Sequence, residues 1–423
     1  MRKILIIAFV LRFSWFLIVA LGEGQAWTQD SQGYAALAES LYDKGEFSQG
    51  GHPETFRTPG YPVFVVLGKV LGDLTWGTLI LQVFLSTATV YLLYLLVLRV
   101  CGDEKKARWA ALLYAFEPLS IIYSSYLLTE TLFVFLIMCF LERVYIFFRK
   151  KNFKILLIAS LALAAALFVR PIAFYLPPIL LVMFLLALWK PQCFFVDKES
   201  KWSKKQVIVS LTIFIFCTIC LPYLWMLRNE KVANVRAFNT LNQSYFTFQA
   251  AATLSQVNKQ SVFEARQNLE KQYETNPKVA TDVLKENPFV FAKIYIKGWT
   301  KTLLDPGSVD GAKQLGRYPP VGGLANKMIE EGITSVLLFL MKERPLLFFM
   351  SLVLGAGLLG YYFLAFRGLR REYKLLLPLL LIFMYFFLLS GGSNALARYR
   401  FPLMPFLAIF AGVGCGICRK VEE

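Results

Sequence analysis

Residues 30–62 read DSQGYAALAESLYDKGEFSQGGHPETFRTPGYP. The stretch opens with a carboxylate, Asp30. It continues through a short amphipathic helix expected over Tyr34 to Leu41 and closes on the turn Arg57-Thr-Pro-Gly-Tyr-Pro62. It lies between an apolar opening segment and the next long apolar run. No other part of the chain sets so many polar and special-geometry residues so close to membrane-length apolar sequence. We read it as half of a functional site at a membrane surface, and the fold follows from what flanks it.

The 423 residues are 57% hydrophobic and 17% charged, with a mean hydropathy of +0.53. Repeated apolar runs close to the ~20 residues of a bilayer span exclude an ordinary soluble domain and indicate a polytopic membrane protein. The net charge of +17 does not indicate nucleic acid. Most of the basic residues cluster in short loops between apolar runs, which is the orientation signal of a membrane protein, and no nucleic-acid motif is present. The opening MRKILIIAFVLRFSWFLIVALGEG resembles a signal peptide. Arg12 interrupts it and no small-x-small cleavage site follows cleanly, so it is read as a retained first span with a cytoplasmic N-terminus. Of the seven cysteines, Cys217/Cys220 and Cys415/Cys418 have C-x-x-C spacing. Each pair sits in an apolar run, where cysteine acts as a small hydrophobe, so neither disulfides nor a cysteine metal site are expected.

An all-α polytopic architecture of about ten spans follows. They are expected near Ile4–Leu21, Gly77–Leu98, Trp109–Tyr123, Tyr126–Phe148, Ile155–Val169, Pro171–Trp189, Gln206–Leu227, Pro345–Phe366, Leu375–Leu389 and Phe401–Cys418. Val63–Leu71 and Ile333–Met341 are apolar but too short to cross. With neither crossing and the N-terminus inside, the clusters Arg99–Arg108, Arg149–Lys154, Lys190–Lys205, Arg367–Lys374 and Arg419-Lys420 all fall on the cytoplasmic side. The chain then divides into an N-terminal membrane region (1–227) carrying the first external loop (22–76), a long external loop (228–344) and a C-terminal membrane region (345–423). The long loop shows helical patterning at Val262–Tyr273 and Phe289–Leu304. In the second of these, Lys293, Lys297 and Lys301 share a face, as on a helix lying under anionic headgroups or on an ordinary solvated helix.

On this count Asp30, Arg57, Glu130, Arg170, Arg398 and Arg400 all come to the external side, from five distant parts of the chain. Ionisable groups near membrane depth are costly, and they pair or serve function. Each also has a plain structural reading. Asp30 would cap a helix beginning near Gly33, Glu130 would favour a helix N-terminus, and Arg170 would reach for headgroups. Arg57 would hydrogen-bond loop carbonyls. Arg398 and Arg400 flank Tyr399 just before the last span, and two cations beside the positive end of a helix form an anion site. His52, the single histidine, is read as a surface residue; the alternative is a metal ligand beside Asp30 or Glu54.

The chain resembles the bacterial members of glycosyltransferase family 39, which have the GT-C fold and use polyprenyl-phosphate sugars; the protein O-mannosyltransferases and the lipid A aminoarabinose transferase are relatives. The matching residues are Asp30-x-x-x-Tyr34 with Ala38 and Gly45-x-Phe47, Arg57-Thr-Pro-Gly-Tyr-Pro62, Pro118 with Leu127-Leu-Thr-Glu130, Val169-Arg170-Pro171 and Arg398-Tyr-Arg-Phe-Pro402. The resemblance implies sugar transfer on the external or periplasmic face of an inner or plasma membrane, from an undecaprenyl- or dolichyl-type phosphate donor to a lipid, glycan or protein acceptor. It implies Asp30 as catalytic carboxylate and Glu130 as its assistant. Arg57, Tyr61, Arg170, Arg398, Tyr399 and Arg400 are the expected substrate- and phosphate-binding set. Two departures leave the acceptor open: Ser31 stands where many relatives carry a second acid, and the long loop shows no sugar-binding module.

The chemistry stands without the family. Displacing a lipid phosphate from a sugar needs a base for the incoming hydroxyl and fixed cations for the departing phosphate. Carboxylates near an oxocarbenium-like centre stabilise it. No cofactor is assigned, and a divalent metal shared by Asp30, Glu130 and phosphate oxygens is an alternative use of the same acids. Rival readings are a polysaccharide polymerase or ligase using a diphosphate-linked oligosaccharide, a lipid-linked-glycan transporter, and a non-catalytic assembly protein docking through the long loop. The transporter reading suffers from the gathering of charge at one end of the spans and from the lack of an internal repeat.

Overall fold

Helix α4 (Leu74–Cys101) illustrates how the spans are delimited. Asp73 caps its start by accepting from the Trp76 N–H at 2.7 Å, and Gly102 in the left-handed conformation ends it. The computed structural model describes residues 1–22, 25–189, 202–273, 276–316, 334–335 and 337–416. Each of the ten apolar segments is helical over most of its described length. Among the described residues five helices are long and apolar enough to cross a bilayer. They are α1 (Arg2–Leu21), α4, α7 (Glu130–Lys150), the rod of α10 (Lys204–Ile215) and α11 (Leu221–Ala233), and α17 (Pro345–Leu389). The last is bent at Glu372 into two arms, as the two predicted spans require. Shorter apolar helices fill between them: α8 (Phe153–Val169), α9 (Leu176–Trp189) and α18 (Met404–Cys415).

Helix α18 is the centre. Met404 to Gly414 are all buried, against α17 on one side and α5 (Glu104–Ala115) on the other.

The predicted third span, Trp109–Tyr123, is not continuous. Helix α5 ends at Ala115, because Pro118 cannot continue it, and Glu117 caps a separate short helix α6 (Pro118–Ile122). Carbonyls are orphaned at that break, and Arg12 from α1 serves them. Fully buried, it donates to Tyr114 O at 3.2 Å and Ala115 O at 3.1 Å, and also to the Ser86 and Ser120 hydroxyls at 2.6 and 2.7 Å. The fourth span begins at Glu130 rather than Tyr126, since Leu127 N–H donates to Ala26 O and Leu128 N–H to Tyr126 O. Between α10 and α11 the helix widens into a π turn (Phe216–Cys220), where Pro222 lacks the N–H that would continue the ladder.

In the first loop, α2 (Gln29–Lys44) is longer at both ends than the predicted Tyr34–Leu41. A Thr28/Ser31 capping box starts it. Asp30 is therefore not the cap; it sits in the first turn with its carboxylate uncommitted to the backbone. A two-strand hairpin (β1 Ser48–Gln49, β2 His52–Pro53) and α3 (Gly60–Val70) complete the first loop. The long loop is also helical: α12 (Leu241–Asn258), α13 (Val262–Tyr273), α14 (Val279–Glu286), α15 (Pro288–Leu304) and α16 (Ser308–Gln314). Helices α12 to α14 share a small core around Ala250, Ala265, Leu269 and Leu284. Of the expected elements, Ile333 at the edge of the short apolar piece, Arg419-Lys420 and most of the Lys190–Lys205 cluster lie outside the described residues.

Candidate active site

Four side chains from four helix ends meet at one end of the apolar helices. Asp30 comes from the first turn of α2, Glu130 from the first residue of α7, and Arg170 from the C-cap of α8. Arg398 comes from the 3-10 turn Ala397–Leu403 that leads into α18. Arg398 Nη1 donates to Asp30 Oδ2 at 2.5 Å, and its Nε donates to Glu130 Oε1. Arg170 Nη1 lies 3.0 Å from the same Glu130 oxygen. The result is a line of alternating charge, Asp30–Arg398–Glu130–Arg170.

Burial divides the roles. Glu130 is wholly enclosed, whereas the Asp30 side chain is 48% exposed, so Asp30 is the carboxylate a ligand can reach. Burial pushes the Asp30 carboxyl up, but the Arg398 guanidinium, with Arg57 and Arg170 beyond it, outweighs this and holds it below the ordinary carboxylate range. Burial opposes the Arg398 charge; Glu130 and Asp30 more than restore it and raise Arg398 further above its usual range.

Arg57 joins from the loop before α3. Glu54 Oε1 accepts the N–H groups of Phe56 at 2.5 Å and Arg57 at 3.1 Å, which shapes the turn. The guanidinium lies against Gly33, where any Cβ would overlap it, and 5.4 Å from the Tyr34 ring centroid. A glycine one turn after Asp30 is what admits Arg57 so close to α2. Tyr61 lies behind this layer. It is buried, donates to Gln82 Oε1 at 2.8 Å and meets the Tyr34 ring edge-on.

Arg400 is turned elsewhere. It is buried, and its Nη1 donates to three carbonyls, Thr302 at 2.7 Å, Leu303 at 3.3 Å and Asp305 at 2.6 Å, at the end of α15. Residues 398 and 400 of the Arg-Tyr-Arg motif thus face different partners, one in the charge line and one tying down the long loop. Tyr399 between them is half-buried, with its N–H donating to Leu396 O. His52 is exposed on the hairpin. Among the described residues no three of His, Cys, Asp and Glu gather as a metal site. Arg398 occupies the place between Asp30 and Glu130 that a shared metal would need, so this donor set fits a guanidinium.

The sequence reading missed a supporting pair. Asp310 of α16 accepts the Tyr123 hydroxyl on Oδ2 and the Tyr126 hydroxyl on its backbone carbonyl, each at 2.8 Å. Thr131, next to Glu130, donates to Tyr123 O at 3.1 Å. Nothing local marks Asp310 in the run Asp305-Pro-Gly-Ser-Val-Asp310; only the docking of α16 reveals it.

Residues 64–238 match the dolichyl-phosphate-mannose-protein mannosyltransferase family. No curated protein sequence is matched at significance. Among solved structures, ArnT from Cupriavidus metallidurans in the apo state is similar with a TM-score of 0.54 at 14% identity, over 97% of this chain and 58% of that one. The same protein bound to undecaprenyl phosphate gives 0.52 at 15%, over 97% and 59%. The Archaeoglobus fulgidus oligosaccharyltransferase in complex with Zn and sulfate gives 0.53 at 13%, over 97% and 48%. The chain therefore spans less than two thirds of each of these neighbours. The resemblance carried by the sequence motifs holds: this is an all-helical, polytopic membrane protein of the GT-C fold, matched over residues 64–238 by the protein-mannosyltransferase family.

Proposed function

We propose that this chain is an integral-membrane glycosyltransferase that moves a sugar from a polyprenyl-monophosphate donor to an acceptor hydroxyl on the external face. The observation that carries this reading is the line Asp30–Arg398–Glu130–Arg170, with its one accessible carboxylate. The match to a family named for a dolichyl-phosphate-mannose donor, and a neighbour holding undecaprenyl phosphate, support the donor class.

Asp30 takes the proton of the acceptor hydroxyl as its oxygen bonds to the anomeric carbon. The bond from that carbon to the phosphate oxygen breaks, and its electron pair leaves with the polyprenyl phosphate. Arg398, Arg170 and Arg57 present N–H groups to the charge that develops there. Glu130 touches no substrate; it fixes Arg398 and Arg170. A carboxylate held below its normal range is a weak base, and the donor corrects this. As its phosphate engages Arg398 and Arg57, Asp30 loses part of the field that depresses it and gains affinity for a proton. Because Arg398 and Arg170 together balance the two acids, no divalent ion is assigned, and the expected result of chelation with EDTA is unchanged turnover.

The test offers purified protein in liposomes a panel of radiolabelled polyprenyl-monophosphate sugars. Release of sugar from one donor, slowed about 100-fold or more in Asp30→Asn, is the expected result. Full activity in that variant removes Asp30 from catalysis. Turnover of diphosphate-linked oligosaccharides alone replaces this donor class with that of a polymerase or ligase.

A further inference from the structure

Helix α15 is an amphipathic element that the charge line leaves unused. Its inner face is fixed to the end of the second arm of α17. The Tyr295 hydroxyl donates to Leu388 O at 2.8 Å, Trp299 Nε1 to Phe387 O at 3.0 Å and the Thr302 hydroxyl to Ser390 O at 3.0 Å. These carbonyls lie where the apolar arm stops; Phe387 O also accepts the N–H and hydroxyl of Ser390, and α15 supplies a donor to all three. Gly298 permits the approach, since a Cβ there would strike the backbone of Gly392. From the other side, Arg400 and the Tyr362 hydroxyl hold the α15 carbonyls at Thr302, Leu303 and Asp305. The helix is thus held at the level where an apolar span ends.

Its outer face is free among the described residues. Phe289 is 88% exposed, Ile296 55% and Leu304 56%. At 3.6 residues per turn these three fall within about 80° of one another; Lys293 projects from inside that arc, between Ile296 and Leu304, and Lys297 and Lys301 run along the flank beyond Leu304. All three lysines are exposed, and Pro288–Leu304 contains no carboxylate. Leu388, half exposed on α17, extends the apolar surface beside it. Exposed phenylalanine, isoleucine and leucine in water gain nothing, whereas the acyl–headgroup boundary accommodates them and gives the flanking lysines phosphate partners.

We propose that the outer face of α15 is seated in the membrane surface, with Phe289, Ile296 and Leu304 among acyl chains and Lys293, Lys297 and Lys301 on anionic lipid headgroups. The helix then works as a keel. Through Thr302, Leu303 and Asp305 it holds Arg400, two residues from Arg398, at a set depth relative to the lipid surface. The inference rests on α15 and its anchors, independently of the donor chemistry.

The test uses the full chain in nanodiscs of mixed phosphatidylcholine and phosphatidylglycerol. A nitroxide on Ile296→Cys is read by power saturation against oxygen and a water-soluble nickel chelate, with a label on Lys271→Cys in α13 as reference. The expected result is that the label at 296 favours oxygen and the label at 271 favours nickel. In a second arm, Lys293→Glu/Lys297→Glu/Lys301→Glu is compared with the parent for phosphatidylglycerol retained around the protein, measured by mass spectrometry. A fall of about threefold or more is expected. Nickel access at 296 equal to that at 271 overturns the seating. Unchanged phosphatidylglycerol retention in the triple variant overturns the headgroup contact. Helical content by circular dichroism identifies any variant that has failed to fold.

Discussion

At the scale of single residues, the charge line makes opposite predictions for its two acids. Asp30 is half exposed and paired at one end, so Asp30→Asn leaves a folded protein that has lost its base. Its melting temperature in detergent stays within a few degrees of the parent while turnover falls. Glu130 is enclosed and serves two arginines. Glu130→Ala leaves buried cations uncompensated and costs on the order of 3–5 kcal/mol, read as a large drop in melting temperature; parent-like stability would remove Glu130 from that role. Gly33→Ala tests the approach of Arg57. The added methyl displaces the guanidinium, so the KM for a phosphate donor rises while helical content is kept. The pH dependence has a definite sign. The folded carboxyl of Asp30 lies below its unfolded value, so its contribution to stability is complete above the unfolded value near pH 4 and is lost as pH falls through the lowered one. A protein whose stability declined from pH 7 to pH 5 through Asp30, as shown by its absence in Asp30→Asn, would contradict this.

At the scale of elements, the connection of α16 to the turn before α7 carries the long loop onto the site. Burial, reinforced by Asp305, pushes the Asp310 carboxyl up, although the Tyr123 hydroxyl draws it down. An acid raised on folding opposes the folded state once ionised. Asp310→Asn retains an oxygen for Tyr123 and removes that charge, so it is neutral or stabilising. Asp310→Ala strands a hydroxyl and costs about 1–3 kcal/mol. Proteolysis of the long loop, faster in the alanine variant and unchanged in the asparagine variant, is the expected pattern; equal protection in both would show that the bond does not dock α16. Elements were also where the sequence was easiest to read. Val262–Tyr273 and Phe289–Leu304 appear almost as patterned, because an amphipathic period is a local property. Thr28 was the harder signal. It displaced Asp30 from the capping role because its box with Ser31 lies one turn ahead of the predicted start of the helix.

At the scale of the whole molecule, Arg12 shows what a membrane protein does with a charge in a span. The sequence marked it as an interruption; the fold gives it five bonds among α1, α4 and the α5–α6 break. Arg12→Leu makes α1 more apolar but removes the donors to Ala115 O and to the Ser86 and Ser120 hydroxyls, and the expected result is loss of the folded, monodisperse protein in detergent. A well-behaved Arg12→Leu protein would show that water serves the break instead. The apolar runs and the helices at Val262–Tyr273 and Phe289–Leu304 were determined by the sequence alone, because hydrophobic length and amphipathic period are counted residue by residue along the chain. The gathering of Asp30, Glu130, Arg57, Arg170 and Arg398 on one side also followed, from counting spans. Tertiary structure decided the rest: that Arg398 bridges the two acids while Arg400 binds α15, that the third span breaks at Glu117, and that Asp310 supports the site. Partners for buried charges and orphaned carbonyls are chosen in three dimensions, among groups up to 368 residues apart, and no local pattern in the chain records that choice.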